Sequence, residues 1–215
     1  WLTNDAAKRL FANGGKDLVQ LTAAAKQPGF KAVPLGQKAS ISLTNEIKRQ
    51  ASKNVIGILP GTERLDEYVI YTAHWDHLGI CDGDKNGDNI CNGALDNATG
   101  TAGLIALAEA HAKAGAPDRS IIFLAVTAEE SGLLGSKYYG ENPVYPLSQT
   151  VGGINMDGLN VVGDTRDLVV IGMGKSELED YFKRAADDLD LVVKNEPTPE
   201  AGYYYRSDHF SLAKF

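Results

Sequence analysis

His74, Asp76, Asp96, Glu129, Glu130 and Asp157 are the residues of this sequence whose types and spacing suit chemistry. YVIYTA runs directly into His74-Trp75-Asp76-His77, SIIFLAVTA into Glu129-Glu130, and VGGINM into Asp157. A fourth segment, GALDNATG, sets Asp96 at the entry to a long stretch rich in Ala and Leu. Open α/β sheets gather ligands outside the carboxyl ends of their strands, so these side chains are expected to converge. Convergence creates a charge problem: Asp96, Glu129, Glu130 and Asp157 would bring four carboxylates into one cleft. Like charges ~4 Å apart repel by several kcal/mol even at an effective dielectric of ~20. Such a group either takes up protons or holds cations. Two divalent ions would balance four carboxylates, His74 adds a nitrogen donor, and mixed imidazole and carboxylate ligation suits zinc, with manganese or cobalt as replacements. Each residue alone has a plainer reading: Asp96 as a helix cap, Asp157 as a turn former before Gly158, Glu129-Glu130 as a solvated helix start, His74 as a core histidine. It is the four segments together that point to metal.

The elements that must position these residues read as alternating helices and strands. TNDAAKRLFANGG predicts a helix capped by Thr3 or Asn4 and ended by Gly14, and KDLVQLTAAAK predicts a second. ASISL, NVIGILP and YVIYTA read as strands, with the turn-rich GTERLDE between the last two. Ala98–Ala114 predicts a long helix, SIIFLAV a buried strand and SGLLGSKYYG a short helix. VGGINM and LVVIG read as further strands, and SELEDYFKRAADDL as another helix. Alternation of this kind means an α/β fold with a sheet covered on both faces.

The chain has 215 residues, of which 43% are hydrophobic, enough for one sizeable core, and no linker or repeat divides it. The formal charge of −7 argues against a general nucleic-acid binder. No run reaches the ~18–20 apolar residues that a bilayer span needs, and no signal peptide is read before the first helical pattern. The only cysteines, Cys81 and Cys91, share one polar loop and read as a disulfide, which implies an oxidising compartment and a periplasmic or secreted protein. Between them Asp82, Asp84, Asn86 and Asp88 alternate as in a calcium loop, with Gly87 at the turn. The twelfth-position glutamate and flanking helix pair are missing, so a polar surface loop is the competing reading. Gly172-Met173-Gly174-Lys175-Ser176 lies between a strand and a helix, but Val169 stands where a phosphate loop needs glycine. His111 reads as part of a solvated helix face. His77 reads as a hydrogen-bonding neighbour of the cleft without a ligand role.

AHWDH, NGALDNATGTAGLIALA, TAEESGLLGS and INMDG, taken with the late RSDHFSLAKF, resemble the M28 family of zinc aminopeptidases and carboxypeptidases over nearly the whole chain. The resemblance implies a three-layer α/β/α fold around a central mixed, mostly parallel sheet, with residues 1–215 as a single catalytic domain. It also implies a peptide substrate hydrolysed at its N-terminal residue by a water activated between two zinc ions. His74 and Asp157 would bind one zinc and Glu130 the other, with Asp96 bridging. Asp76 would orient His74, and Glu129 would be the general base. Family members complete the second zinc with a histidine well downstream of SDHF, whereas this chain ends five residues after Phe210. The resemblance therefore implies a chain that stops before that ligand, with His209 at a motif position other than the ligand's. It also implies that the protease-associated domain often inserted just before a segment like WLTNDAAKRLF is absent. Two other readings fit the pattern: a glutaminyl-cyclase-like acyltransferase with one zinc, and a catalytically silent fragment that keeps the fold and binds calcium. The intact HWD segment favours the two-metal peptidase.

Overall fold

The computed structural model of the protein describes residues 2–215. Contacts gather in two compact units, Trp1–Arg49 and Gln50–Phe215. The first holds helices α1 (Asn4–Asn13) and α2 (Leu18–Ala25). Each is started by a side chain that satisfies a free backbone N–H of the first turn. Thr3 accepts from the Ala6 N–H, and Asp17 accepts from the Gln20 N–H. The strand expected at Ala39–Leu43 does not form. Ile41 and Leu43 are exposed and no partner strand lies beside them. Alternating apolar residues make a strand only when a neighbour takes up the backbone groups.

The second unit contains β1 (Val55–Leu59), β2 (Arg64–His74), β3 (Gly79–Ile80), β4 (Ile90–Cys91), α3 (Ala98–Ala114), β5 (Arg119–Val126), α4 (Leu134–Glu141), β6 (Thr150–Asn155), β7 (Asp167–Val170), α5 (Leu178–Asp188), β8 (Val192–Asn195) and α6 (His209–Leu212). The main sheet has the order β1-β5-β2-β6. β1 runs antiparallel to β5, while β2 pairs in parallel with both β5 and β6. β2 starts at Arg64, inside the segment read as turn-rich, with an irregular register between Arg64 and Tyr68. β3 and β4 form a short antiparallel ribbon, and β7, α5 and β8 a separate parallel pair with its crossover helix.

Alternation along the central strands sends side chains to two cores. Tyr68 and Ile70 of β2 join Ile122, Leu124 and Val126 of β5 against Tyr139 of α4 and Leu212 of α6. On the opposite face Ala73, Tyr71, Phe123 and Ala125 pack with Leu104 and Leu107 of α3 and with Met156. Helices therefore cover both faces of a mixed, mostly parallel sheet, the three-layer arrangement expected. Both faces of β2 are buried toward its end, which is why YVIYTA reads as a continuous apolar run rather than an alternating one.

The turn from β5 into α4 is fixed by close packing. Thr127 N–H donates to Asn54 Oδ1 at 3.1 Å, and Asn54 Nδ2 donates to the Gly135 carbonyl at 2.8 Å. A Cβ on Gly135 would lie 2.3 Å from the Thr127 carbonyl oxygen and 2.6 Å from Asn54 Oδ1. Gly135→Ala is expected to cost about 1–3 kcal/mol by overpacking and to lower Tm by at least ~2–4 °C. Gly57→Ala, where a Cβ meets nothing within 4 Å, should shift stability by under ~0.5 kcal/mol. Thermal melts of the two variants check this.

Candidate metal centre

Three parallel strands end at one edge of the sheet, and each hands over to residues singled out by the sequence. His74 is the last residue of β2, paired with Val126. Thr127 to Glu130 leave β5, and Met156-Asp157 leave β6. The positive end of α3 arrives at the same edge, preceded by Asp96 and capped by Asn97, whose Oδ1 accepts from the Gly100 N–H at 3.0 Å. Asn97 also fastens α3 to the end of β6. Its Nδ2 donates to the Met156 carbonyl at 2.9 Å, and its Oδ1 accepts the Gly158 N–H at 3.1 Å. One buried amide thus sets Asp96 and Asp157 on either side of it. Thr101 Oγ1 donates to the His74 carbonyl at 2.9 Å, which ties β2 to the same helix.

His74 is almost fully buried. Its Nδ1 lies 3.1 Å from the Asp76 main-chain carbonyl, an acceptor, so Nδ1 is the donor. Nε2 faces Asp96 Oδ1 at 3.1 Å and Asp157 Oδ1 at 3.3 Å. The Asp76 carboxylate stands 3.8 Å from Nδ1 and instead accepts the Glu129 N–H at 3.1 Å. Asp157 uses its other oxygen to accept from Ser207 Oγ at 2.6 Å. Glu130 Oε1 lies 2.6 Å from Nδ1 of His77. The structure thus contains two groups of donor atoms, each within 4.8 Å of one another: His74, Asp96 and Asp157, and His77, Asp96 and Glu130. They share Asp96.

The electrostatics follow from this crowding. Burial works against a charged His74, but the hydrogen bond to Asp157 and the charges of Asp157 and Glu129 outweigh it, and the imidazole is raised to about 9. The hydrogen bond from His74 holds Asp157 below the usual carboxylate range, despite its burial. Glu129 is pushed up to about 7, first by desolvation and then by Asp208, Asp157 and Glu130. Desolvation likewise raises the buried Asp208 to about 6. The site draws in positive charge, and a proton on His74 supplies part of it. Carboxylates with one imidazole in each group form a donor set suited to zinc.

The structure brings His74, Asp96, Glu130 and Asp157 together, with Asp76 and Glu129 beside them. Asn97 and Ser207 also belong to this edge, and sequence reasoning gave them no part in it; His77, read as a neighbour of the cleft without a ligand role, stands in the second donor group. The NATG that follows Asp96 carried a signal for Asn97, as a cap residue ahead of a helical run. His209 joins neither donor group and packs edge-on against the Tyr204 ring at 5.0 Å. His111 stacks near Tyr71 and Phe123, on the half-buried side of α3 rather than on a solvated face. Cys81 and Cys91 are joined as a disulfide, which closes the loop read as a candidate calcium site. Within that loop Asp84 accepts from the N–H groups of Asn86 and Asp88, as in a self-contained turn.

Residues 54–214 match the family model "Peptidase family M28". Mouse aminopeptidase NAALADL1 is 35% identical over 60% of this chain and 17% of its own length. Aminopeptidase YwaD of Bacillus subtilis is 31% identical over 59% of this chain and 25% of its own. The chain therefore spans a quarter or less of these relatives. Among solved structures, the aminopeptidase from Aneurinibacillus sp. strain AM-1 superposes on 75% of this chain and 36% of its own, with a TM-score of 0.56 at 24% identity. That likeness shows the fold.

The proton on His74 has a thermodynamic signature in metal-free protein. His74 binds its proton up to about 9 in the fold against 6.5 when unfolded, so its stabilising contribution is complete below 6.5 and lost as pH rises through 9. Glu129, raised from 4.5 to about 7, and Asp208, raised from 3.8 to about 6, also bind protons more tightly when folded. Their ionisation therefore costs stability in the same direction. Asp157 opposes them only in acid, where its contribution disappears as pH falls through its lowered pKa. The Tm of chelator-treated protein should fall between about pH 5 and pH 9, and added zinc should restore more of it at the alkaline end. Scanning fluorimetry measures this; a flat or rising Tm would contradict the charge balance described.

Proposed function

The chain belongs to peptidase family M28, and from that premise we propose that it hydrolyses peptide bonds as a metal-dependent exopeptidase, removing N-terminal residues at a site for two zinc ions. The observation that carries this reading is the pair of donor groups sharing Asp96 at the carboxyl ends of three strands, with Glu129 beside them. In this reading His74 and Asp157 would hold one cation and Glu130 the other, with Asp96 available to both. Bound divalent cations acidify water and act as Lewis acids toward a scissile carbonyl. Glu129 is the general base, since its carboxyl, raised to about 7, is poised to accept a proton near neutral pH. It takes one proton from the attacking water and delivers it to the departing amine nitrogen as the C–N bond breaks.

Asp76 is a positioning residue in this scheme. Its carbonyl fixes the tautomer and direction of His74, and its carboxylate holds the Glu129 main chain. Ser207 does the same for Asp157. The Cys81–Cys91 bond suits an oxidising compartment, and among the described residues no helix is long and apolar enough to cross a membrane. The disulfide supports a secreted or periplasmic assignment. The second donor group, which contains Glu130, favours two cations over the single zinc of a cyclase-like acyltransferase.

Glu129→Gln should keep the metal content of the wild type, because Gln preserves shape and Glu129 is not a ligand in this reading. Turnover of aminoacyl p-nitroanilides should drop by ~10²–10⁴. Metal analysis and initial rates on the two proteins check this, with chelator-treated wild type as the inactive reference. Undiminished turnover in the variant removes Glu129 from the chemistry. Ammonia release from Gln-initiated peptides without loss of a residue would replace the peptidase reading with cyclisation.

A further inference from the structure

We propose that Asn54 is a positioning residue for the reaction: with its neighbours Ser52 and Lys53 it holds the loop that presents Glu129 and Glu130 in fixed relation to the turn that presents His74. This rests on the peptidase reading above and gives a task to β1, the strand of the main sheet that sends no residue to the donor groups. β1 runs antiparallel to β5 with Val55 opposite Ala125, so the residues entering β1 lie at the edge where the parallel strands end. Contacts to both site-bearing turns start there. Asn54 Oδ1 accepts the Thr127 N–H at 3.1 Å, while its Nδ2 donates to the Gly135 carbonyl at 2.8 Å. The hydroxyls of Ser52 and Thr127 meet at 2.7 Å. The Lys53 carbonyl accepts the indole N–H of Trp75, the residue between His74 and Asp76, at 3.2 Å.

The loop needs holding because its backbone is strained. Thr127 and Gly135 are its two ends, closed by the Gly135 N–H on the Thr127 carbonyl at 2.9 Å. Between them Ala128 and Leu133 stand at φ 56° and 62°, left-handed conformations in residues that carry a Cβ. Each costs on the order of 1–3 kcal/mol and persists only where the surroundings enforce it. Ala128 directly precedes Glu129, so its φ decides the direction in which the two glutamates leave β5. Enforcement comes from two sides. The Asp76 carboxylate takes the Glu129 N–H at 3.1 Å, and the Asn54 amide bonds both ends of the loop at once. Through Lys53 and Trp75 the same segment also reaches the turn after His74, so a displaced Asn54 disturbs imidazole and glutamates together. Misplacing a catalytic group by about 1 Å from outside the chemistry lowers rates by ~10²-fold.

The alternative is that Asn54 contributes stability alone, and Ile56→Ala separates the two roles. Ile56 lies in the same strand but packs against the core of Tyr68, Ile122 and Tyr139 rather than the loop, so its truncation destabilises without touching the turns. Each protein is assayed on aminoacyl p-nitroanilides at saturating zinc, below its own Tm, and hydrogen exchange is followed across residues 127–135. Asn54→Ala should lose exchange protection in that segment and lose kcat by ~10–100-fold, with KM little changed. Trp75→Phe, which removes only the N–H donated to Lys53, should show a smaller loss of kcat of the same kind. Ile56→Ala should melt earlier and keep both kcat and loop protection. Ala128→Gly, which makes the left-handed conformation free of strain, should return part of the kcat lost in Asn54→Ala. Wild-type kcat in Asn54→Ala or in Trp75→Phe, or an equal loss in Ile56→Ala, overturns the positioning role. A wild type that hydrolyses no anilide overturns the peptidase reading by itself. Exchange then still decides the hold on the loop, and protection kept in Asn54→Ala refutes it.

Discussion

Two parallel pairings, of β2 with β5 and of β2 with β6, govern where His74, Glu130 and Asp157 can stand. Parallel strands end on the same side, so the chain arrives at one edge three times with a free choice of residue at each arrival. His74, the Glu129-Glu130 pair and Asp157 occupy those arrivals. Had β5 run antiparallel to β2, the glutamates would lie a strand's length from His74, and the charge that organises the site would not exist. The two cores on either face of the sheet hold these pairings in register. The apolar residues are therefore as much a condition of the chemistry as the carboxylates.

Gathering negative charge at that edge opposes folding, and the local structure offsets the repulsion with fixed dipoles. Asn97 donates to one backbone carbonyl and accepts from two N–H groups, Ser207 donates to Asp157, and the Glu129 N–H donates to Asp76. These partners set directions but do not neutralise the cluster, which is why His74 retains a proton so far above its ordinary range. In the proposed reading the site is a cation receptor whose geometry is prepared in advance.

Much of this was legible in the sequence because its signals are local. A continuous apolar run followed by polar residues marks a buried strand and its end, and Ala98–Ala114 forms the helix its composition dictates. Ala39–Leu43 misled because a strand needs a neighbour and sequence does not supply one. β8 was missed for the converse reason: Val192–Asn195 is too short and mixed to read as a strand until it pairs with β7. His77 was given no ligand role because its neighbour Glu130, 53 residues on, is brought close only by the pairing of β2 with β5. The resemblance has Asp76 orienting His74 without saying by which group. Its peptide carbonyl makes that contact, and a contact through the main chain leaves no trace in residue type.

That division of labour within Asp76 has a consequence for how the protein can vary. One residue holds the imidazole with its backbone and the neighbouring strand's acidic pair with its side chain. A replacement at position 76 that keeps the backbone path disturbs the Glu129 turn alone. A replacement that shifts the path moves His74 as well. Changes at 74, 76 and 129 therefore interact rather than add, and a substitution neutral at one of them can become severe after a change at another. Substitutions along this edge are then coupled through a single peptide unit.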